Sequence, residues 1–264
     1  MFNNSFKIFK LLGFEVKIDI SWIVIAFLVA WSLSTGLFPF EYKGLTAGTY
    51  WIMGIAGALG LFVSIIVHEF THSLIARKNG IPMKGITLFI FGGVAEMGDE
   101  PPGPGAEFRM AIVGPIASAV LSLIFYFIYG AMGDKSRPYA GVIGYLAMIN
   151  GVLAVFNMLP AFPLDGGRVL RSILWKIKNN LDWATKVSSA IGSGFGMLLI
   201  ILGVISFIRG NFIGGMWWFL IGLFLRNAAK SSRVTGSRVY TNGGKYQFKI
   251  QHRPYSKNRR SGLN

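Results

Sequence analysis

The stretch Gly44–His72, GLTAGTYWIMGIAGALGLFVSIIVHEFTH, decides the fold of this chain. Its uncharged part, Gly44–Val67, exceeds the roughly 18 apolar residues that cross about 30 Å of hydrocarbon. It ends in His68 and His72, whose spacing of four places both on one face of a helix. Such a pair can bind one metal ion with Glu69 beside it as a base, and the H-E-x-x-H spacing is typical of zinc protease sites. The stretch therefore predicts hydrolytic metal chemistry inside a membrane.

The composition extends the membrane prediction to the whole chain. Of its 264 residues, 53% are hydrophobic and 14% are charged, and the mean hydropathy is +0.53. These values are typical of a membrane protein. Of six uncharged runs, the first five are long enough to span a bilayer, and the sixth, of 16 residues, fits a short or tilted helix. We therefore expect an α-helical polytopic membrane protein whose six transmembrane helices lie within Ile20–Phe40, Gly44–Val67, Met110–Gly133, Pro138–Leu164, Val187–Ile208 and Gly210–Leu225.

Positive charge is distributed unevenly about these spans. When the spans alternate in direction, 22 of the 26 Lys and Arg residues fall on the side that holds both termini. The opposite side receives only Lys43, Lys135, Arg137 and Arg209. By the positive-inside rule, we expect a multi-pass protein of the cell (plasma) membrane with cytoplasmic N- and C-termini.

The chain is predicted to divide into a membrane domain, residues 1–228, and a basic cytoplasmic tail, residues 229–264. Residues 1–19 mix aromatic residues with lysines, which fits a segment along the membrane interface or a short flank of the first span. The tail holds no acidic residue, and beside a bilayer this favours anionic lipid, with no nucleic acid expected. Since the chain has no cysteine, any metal site must use histidine and carboxylate ligands.

The connection between the second and third spans, Ile81–Met97, does not look helical. It contains Pro82, several β-branched and aromatic residues, and the pair Gly92-Gly93. This pattern predicts two short strands around a glycine turn, a small membrane-associated β-hairpin or re-entrant loop. Backbone at membrane depth must be covered by protein or line a wet cavity.

A catalytic zinc site needs a third protein ligand and an open position for water. Asp165 ends the longest uncharged run, just after Pro160 and Pro163, which together break a regular helix. The break can aim the carboxylate inward, and Gly166-Gly167 permits close approach. Spacing alone leaves two alternatives open: Asp165 is a metal ligand, or it caps a helix that starts at Gly166.

Three further charged residues lie near these motifs. Glu96 and Glu107 flank the predicted hairpin and the third span, and the sequence favours solvated flanks over a gating or pairing role. Arg168 follows Asp165 closely, and either pairs with it or marks the cytoplasmic boundary.

Four motifs follow one another along the chain: HEFTH, Phe91-Gly92-Gly93, Gly114-Pro115 and Asn157-x-x-Pro-x-x-Pro-Leu-Asp165-Gly-Gly-Arg168. Together, over roughly Trp22–Trp175, they resemble the site-2 protease family of intramembrane zinc metalloproteases. The likeness is to compact prokaryotic members without PDZ or CBS domains, including sporulation enzymes that process a sigma-factor precursor. The resemblance implies that one Zn²⁺ per chain is held by His68, His72 and Asp165. It also implies that Glu69 is the catalytic acid/base and that Asn157 and the Gly92-Gly93 loop meet the substrate.

The expected activity is endopeptidase cleavage of a partner's transmembrane segment by zinc-activated water, in regulated intramembrane proteolysis. The partner would be an anti-sigma factor, a sigma-factor precursor or another membrane-tethered regulator. The alternative is a catalytically silent chaperone or adaptor of the same fold that binds transmembrane helices. A metal transporter is a second rival, but it would need polar groups across the full membrane thickness, and here they are concentrated at one level.

Overall fold

The computed structural model describes residues 5–11, 13–81, 83–89, 92–97 and 101–238. Most of the predicted basic tail lies outside the described residues. Within the described part, six helices are long and apolar enough to cross a membrane, which confirms the predicted number. The predicted boundary at residue 228 falls inside the last helix, which continues to Arg238.

The first span, Ser21–Glu41, consists of α1 (Ser21–Ser32), a π-helical turn (Leu33–Leu37) and α2 (Phe38–Glu41). The later helices are α3 (Ala47–Lys78), α4 (Pro104–Ala131), α5 (Pro138–Asn157), α6 (Asp165–Lys178), α7 (Leu181–Ile208) and α8 (Phe212–Arg238). Many large apolar side chains on the spans point outward, for example Phe127 and Val155, which are 68% and 71% exposed. An outward apolar surface is what a helix bundle in lipid requires.

Helix α3 is the central element of the fold. Its first turn is capped by Thr46, whose side chain accepts a hydrogen bond from the Thr49 amide. Its 32 residues give a length of about 48 Å at 1.5 Å per residue, well beyond the hydrocarbon thickness. The helix ends in Arg77 and Lys78, beside the sheet, and it carries HEFTH in its last third.

A four-stranded sheet of order β1-β2-β3-β4 lies at this end of α3. The strands are β1 (Ser5–Leu11), β2 (Phe14–Asp19), β3 (Met83–Phe89) and β4 (Gly92–Met97). The antiparallel hairpin β3–β4 confirms the predicted pair of strands, with Leu88 opposite Gly93 and Phe89 opposite Gly92. The sequence did not predict the other two strands: β1 and β2 form a second antiparallel hairpin, and β2 pairs in parallel with β3.

The N-terminal hairpin packs against α3 through aromatic contacts. The Phe14 ring meets the Phe70 ring edge-on at 5.6 Å between centroids, and the Arg77 guanidinium lies over the Phe14 ring. Phe14 and Val16 are buried. Strands β1 and β2 are thus a folded part of the structure and fix the sheet to the helix that carries the two histidines.

Helices α7 and α8 form an antiparallel pair whose backbones touch. A Cβ at Gly196 would lie 2.8 Å from the Arg226 amide nitrogen, and a Cβ at Gly203 would lie 2.6 Å from that of Phe219. Only glycine permits such approach, which is the usual role of small residues between membrane helices. Gly192, on the same stripe, packs against the loop that precedes α6, so this helix pair supports the loop from behind.

Candidate metal centre

The two histidines of α3 and the aspartate of α6 converge on one point. His68 Nε2 and His72 Nε2 lie 3.0 and 3.1 Å from Asp165 Oδ2, and the two Nε2 atoms are 3.1 Å apart. The three residues are buried, with exposures of 5%, 4% and 7%. They come from positions up to 97 residues apart in the chain, so the fold and not local sequence brings them together.

Helix α4 holds the outer side of both imidazoles. The Nδ1–H group of His72 donates to the Met110 carbonyl oxygen at 2.6 Å, and Nδ1 of His68 lies 2.9 Å from Ser118 Oγ. A carbonyl can only accept, so Nδ1 of His72 carries the proton and its Nε2 keeps a free lone pair. Hydrogen bonds of this kind fix the tautomer and ring orientation of metal-binding histidines.

Gly114, between these two partners on α4, provides the space for the centre. A Cβ at this position would lie 2.2 Å from His72 Nε2 and 2.6 Å from His68 Nε2. Any side chain there would displace an imidazole from its present position. The first residue of the Gly114-Pro115 motif is therefore a glycine because the two imidazoles leave no room for a Cβ.

The turn before α6 aims Asp165 inward. Leu164 occupies the N-cap position without a side-chain capping bond, and Asp165 is the first residue of the helix. Its Oδ2 atom faces the imidazoles, so the capping alternative does not account for this carboxylate oxygen. Close backbone approach requires the next two glycines, since a Cβ at Gly166 or Gly167 would lie 2.2 Å from Met158 O or Phe162 N, respectively.

The donor set fits zinc. Two atoms bound tetrahedrally at about 2.0–2.1 Å from a zinc ion lie about 3.3 Å apart, close to the 3.0–3.1 Å that separates the three donor atoms here. Two imidazole nitrogens and one carboxylate oxygen leave a fourth position open, as in catalytic zinc sites. Among the described residues, these three are the one such cluster of possible ligands.

The cluster opens onto a large apolar cavity of about 720 Å³ that is lined by α1, α3, α5 and α8 and by residues of α4 and α6. Glu69, Asn157 and Arg168 line the cavity together with the three potential ligands. The rest of the lining is predominantly apolar, including Ile25, Val29, Phe62, Val152, Leu153, Phe156, Trp218, Ile221 and Phe224. Polar groups capable of acid–base chemistry thus lie at one end of a space that suits an apolar chain.

Comparisons with known proteins identify the family to which this chain belongs. The model of peptidase family M50 matches residues 56–136 and 133–202, which covers the HEFTH helix and the Asp165 turn. The chain belongs to peptidase family M50. The resemblance to site-2 proteases is confirmed by a solved structure, "Site-2 Protease from Methanocaldococcus jannaschii". The similarity covers 87% of this chain and 95% of the chain in the solved structure, with a TM-score of 0.61 and 28% sequence identity.

Two curated relatives are also similar to most of this chain. The "Putative zinc metalloprotease sll0528" of Synechocystis sp. is 42% identical over 88% of this chain. The "Putative zinc metalloprotease Rip3" of Mycobacterium tuberculosis is 36% identical over 88% of this chain. The chain spans 60% of the length of each of these relatives.

Of the remaining site candidates, Asn157 lines the same cavity, whereas Gly92 and Gly93 belong to the sheet. Asn157 is the last residue of α5, and Gly92 and Gly93 begin β4, where their backbones pair with β3. Sequence reasoning assigned no role to Met110 or Ser118, although a serine in an apolar span four residues after Gly114 was an available signal.

Glu107 corrects an expectation. The sequence favoured a solvated flank, but the structure buries this carboxylate completely and pairs it with Arg171, whose Nε donates to Oε1 at 2.6 Å. The reason is that α4 begins at Pro104, six residues before the uncharged run, so Glu107 lies inside the helix. The side chain of Glu96 lies outside the described residues.

Proposed function

We propose that this M50 protein is an intramembrane zinc metalloendopeptidase that cleaves a transmembrane segment of a partner protein. The observation that carries the proposal is the convergence of His68, His72 and Asp165, with Glu69, at the wall of an apolar cavity among membrane-spanning helices. An adaptor that only bound helices would have no use for three buried metal-ligand side chains.

His68, His72 and Asp165 would hold one Zn²⁺ per chain. The ion would supply Lewis acidity, polarising the scissile carbonyl and bringing the pKa of a water molecule towards 7. The protein's own contribution is to keep both Nε2 lone pairs directed at one point, through the Met110 carbonyl and the Ser118 hydroxyl. Loss of such an outer hydrogen bond typically lowers metal affinity by about 10–100-fold.

Glu69 would move the proton. It follows His68 directly and lines the cavity, so its carboxylate can take a proton from the attacking water and deliver it to the leaving amine. Asn157, on the same cavity, would donate a hydrogen bond to the substrate carbonyl or to the oxyanion that develops from it. Both residues act on the substrate and neither is needed to hold the metal.

The substrate must be extended before it can be cleaved, because the amides of a helix are hidden in hydrogen bonds. Strand β4 lies at the edge of the four-stranded sheet and can add a peptide as a fifth strand. Since successive N–H groups of a strand point to opposite sides, one of the variants Val94→Pro and Ala95→Pro removes an N–H group from the free edge. We expect that variant to lose cleavage while it retains zinc, and normal cleavage in both would end the idea.

The partner and orientation belong to the same proposal. The bias of positive charge favours cytoplasmic termini in the plasma membrane, and with this orientation the metal centre would lie in the cytoplasmic half. A membrane-tethered regulator, such as an anti-sigma factor or a sigma-factor precursor, suits a protease at this depth. The basic tail, residues 229–264, would bind anionic lipid next to the membrane domain, residues 1–228.

Co-expression with candidate single-span regulators tests the proposal. We expect Glu69→Gln to abolish cleavage with zinc content unchanged, and His68→Ala to abolish both. Asn157→Ala should lower cleavage and leave zinc content unchanged. Full cleavage by the Glu69→Gln variant would exclude the proposed mechanism, whereas helix binding that neither Glu69→Gln nor zinc removal changes, without any cleavage, would favour the adaptor.

A further inference from the structure

The third proposed ligand is carried by an unusual helix. Helix α6 has 14 residues and does not qualify as a membrane span, so it cannot be positioned by crossing the bilayer. Asp165 is its first residue, and the carboxylate must reach two imidazoles on α3. A rotation of α6 by one residue would turn this carboxylate by about 100° away from them.

A buried ion pair connects α6 to α4. Arg171 is 7% exposed and Glu107 is fully buried. Arg171 Nε donates to Glu107 Oε1 at 2.6 Å, and Nη2 contacts the same oxygen. Glu107 Oε2 is buried and has no hydrogen-bond partner among the described residues. The pair therefore satisfies only part of the hydrogen-bonding capacity of the carboxylate.

Arg171 also contacts the turn that aims Asp165. Its guanidinium lies over the ring of Phe162, 5.1 Å from the centroid. The Phe162 backbone is enclosed on two sides, because a Cβ at Gly167 would lie 2.2 Å from its nitrogen and a Cβ at Gly192 would lie 1.8 Å from its oxygen. Arg171, on α6, thus contacts both α4 and the turn that precedes Asp165.

Glu107 lies on the face of α4 that serves the two histidines. Positions 107, 110, 114 and 118 are spaced by three, four and four residues, which places them on one side of a helix. Met110 and Ser118 bind the outer nitrogens of His72 and His68, and Gly114 packs against both rings. Glu107 continues this row towards α6, so one helix contacts both helices that carry the proposed ligands, α3 and α6.

Stability alone is a poor explanation for the pair. Burying two charges costs several kcal/mol each, and apolar residues of similar volume often serve as well or better. A directional pair instead fixes one rotation and one register, which is the best-attested use of buried polar contacts. We propose that Glu107 and Arg171 are positioning residues, through which α4 holds α6 at the rotation that presents Asp165 to the imidazole pair. This inference rests on the proposed ligand set.

The test compares zinc affinity with folding stability in the full chain. The double variant Glu107→Leu and Arg171→Met roughly keeps the side-chain volumes but removes the directional hydrogen bonds between the two residues. We expect the metal-free double variant to unfold at the wild-type temperature or above it, while its zinc dissociation constant rises roughly 10–100-fold, the usual effect of losing support for a ligand. Cobalt substituted for zinc should show a weakened tetrahedral absorption band. Wild-type zinc affinity and an unchanged cobalt spectrum would overturn the proposal.

Two sets of variants make the result specific. The exposed pair Asp134–Arg137 is the matched control, and Asp134→Asn with Arg137→Gln should leave zinc affinity unchanged. Asp165→Asn tests the ligand set itself: if it retains wild-type affinity, the proposed function fails, and if only the Glu107–Arg171 variant retains it, the positioning role alone fails.

Should the double variant not fold, Arg171→Lys keeps the positive charge without the planar guanidinium. It should weaken zinc binding severalfold, and wild-type affinity in it would equally overturn the proposal.

Discussion

The two walls of the cavity are built by different principles. The ligand wall, formed by α3, α4 and α6, is held by directional contacts: both imidazoles, Asp165 and the Glu107–Arg171 pair have short polar partners. The facing wall, formed by α1 and α8, is apolar, and a hydrogen bond from Trp217 Nε1 to Ser32 Oγ, 3.1 Å, links its two helices. A metal centre tolerates little displacement, whereas an apolar wall needs only to exclude water and accept a hydrophobic chain.

The largest expected effect is at the closest contact of the ligand wall. Gly114→Ala places a methyl group 2.2 Å from His72 Nε2, so we expect the variant to lose zinc and peptide cleavage. Gly130→Ala on the same helix is the control, because nothing lies within 4 Å of a Cβ there. Metal analysis of the purified variants checks the prediction, and full zinc content in Gly114→Ala would show that the ligand wall is not rigid.

A smaller effect is expected from the outer hydrogen bond of His68. Ser118→Ala removes the partner of Nδ1 but leaves all three proposed ligands in place, so zinc affinity should fall about 10–100-fold. Ser122→Ala, one turn later on α4, removes a bond to the Ala147 carbonyl and should leave zinc affinity unchanged. Titration against a competing chelator measures both. Equal affinities would mean that Ser118 does not orient the ring.

The smallest effect is expected on the facing wall. Trp217→Phe removes the bond to Ser32 but keeps an aromatic ring, so the free energy of unfolding should fall by about 0.5–1.5 kcal/mol. Zinc affinity should not change, because no metal ligand contacts this bond. Trp218→Phe, at the neighbouring cavity position, controls for loss of an indole. A loss of zinc in Trp217→Phe would contradict the separation of the two walls.

Much of the ligand wall was predictable, because local sequence carries it. HEFTH places two imidazoles on one face whatever the rest of the chain does, and prolines 160 and 163 mark the break before Asp165. The six spans and the hairpin β3–β4 also follow from periodicity and run length. By contrast, the choice between ligand and cap at Asp165 depended on a contact 97 residues away, which spacing cannot provide.

The parts that sequence reasoning missed depend on non-local pairing. Strands β1 and β2 form because β2 pairs in parallel with β3, about 70 residues later, whereas the mixture of lysines and aromatics in this part of the sequence also fits an interfacial segment. Glu107 looked solvated because its partner Arg171 lies 64 residues further on. In each case the side-chain types were visible, and the geometry that gives them a role was not.

X-ray absorption at the zinc edge, on the purified wild-type and Asp165→Asn proteins, tests the central claim most directly. The account predicts one zinc per chain in the wild type, with two imidazole nitrogens and one carboxylate oxygen as protein ligands. It further predicts a changed spectrum or lost zinc in Asp165→Asn. Wild-type zinc content with an identical spectrum in Asp165→Asn would contradict it.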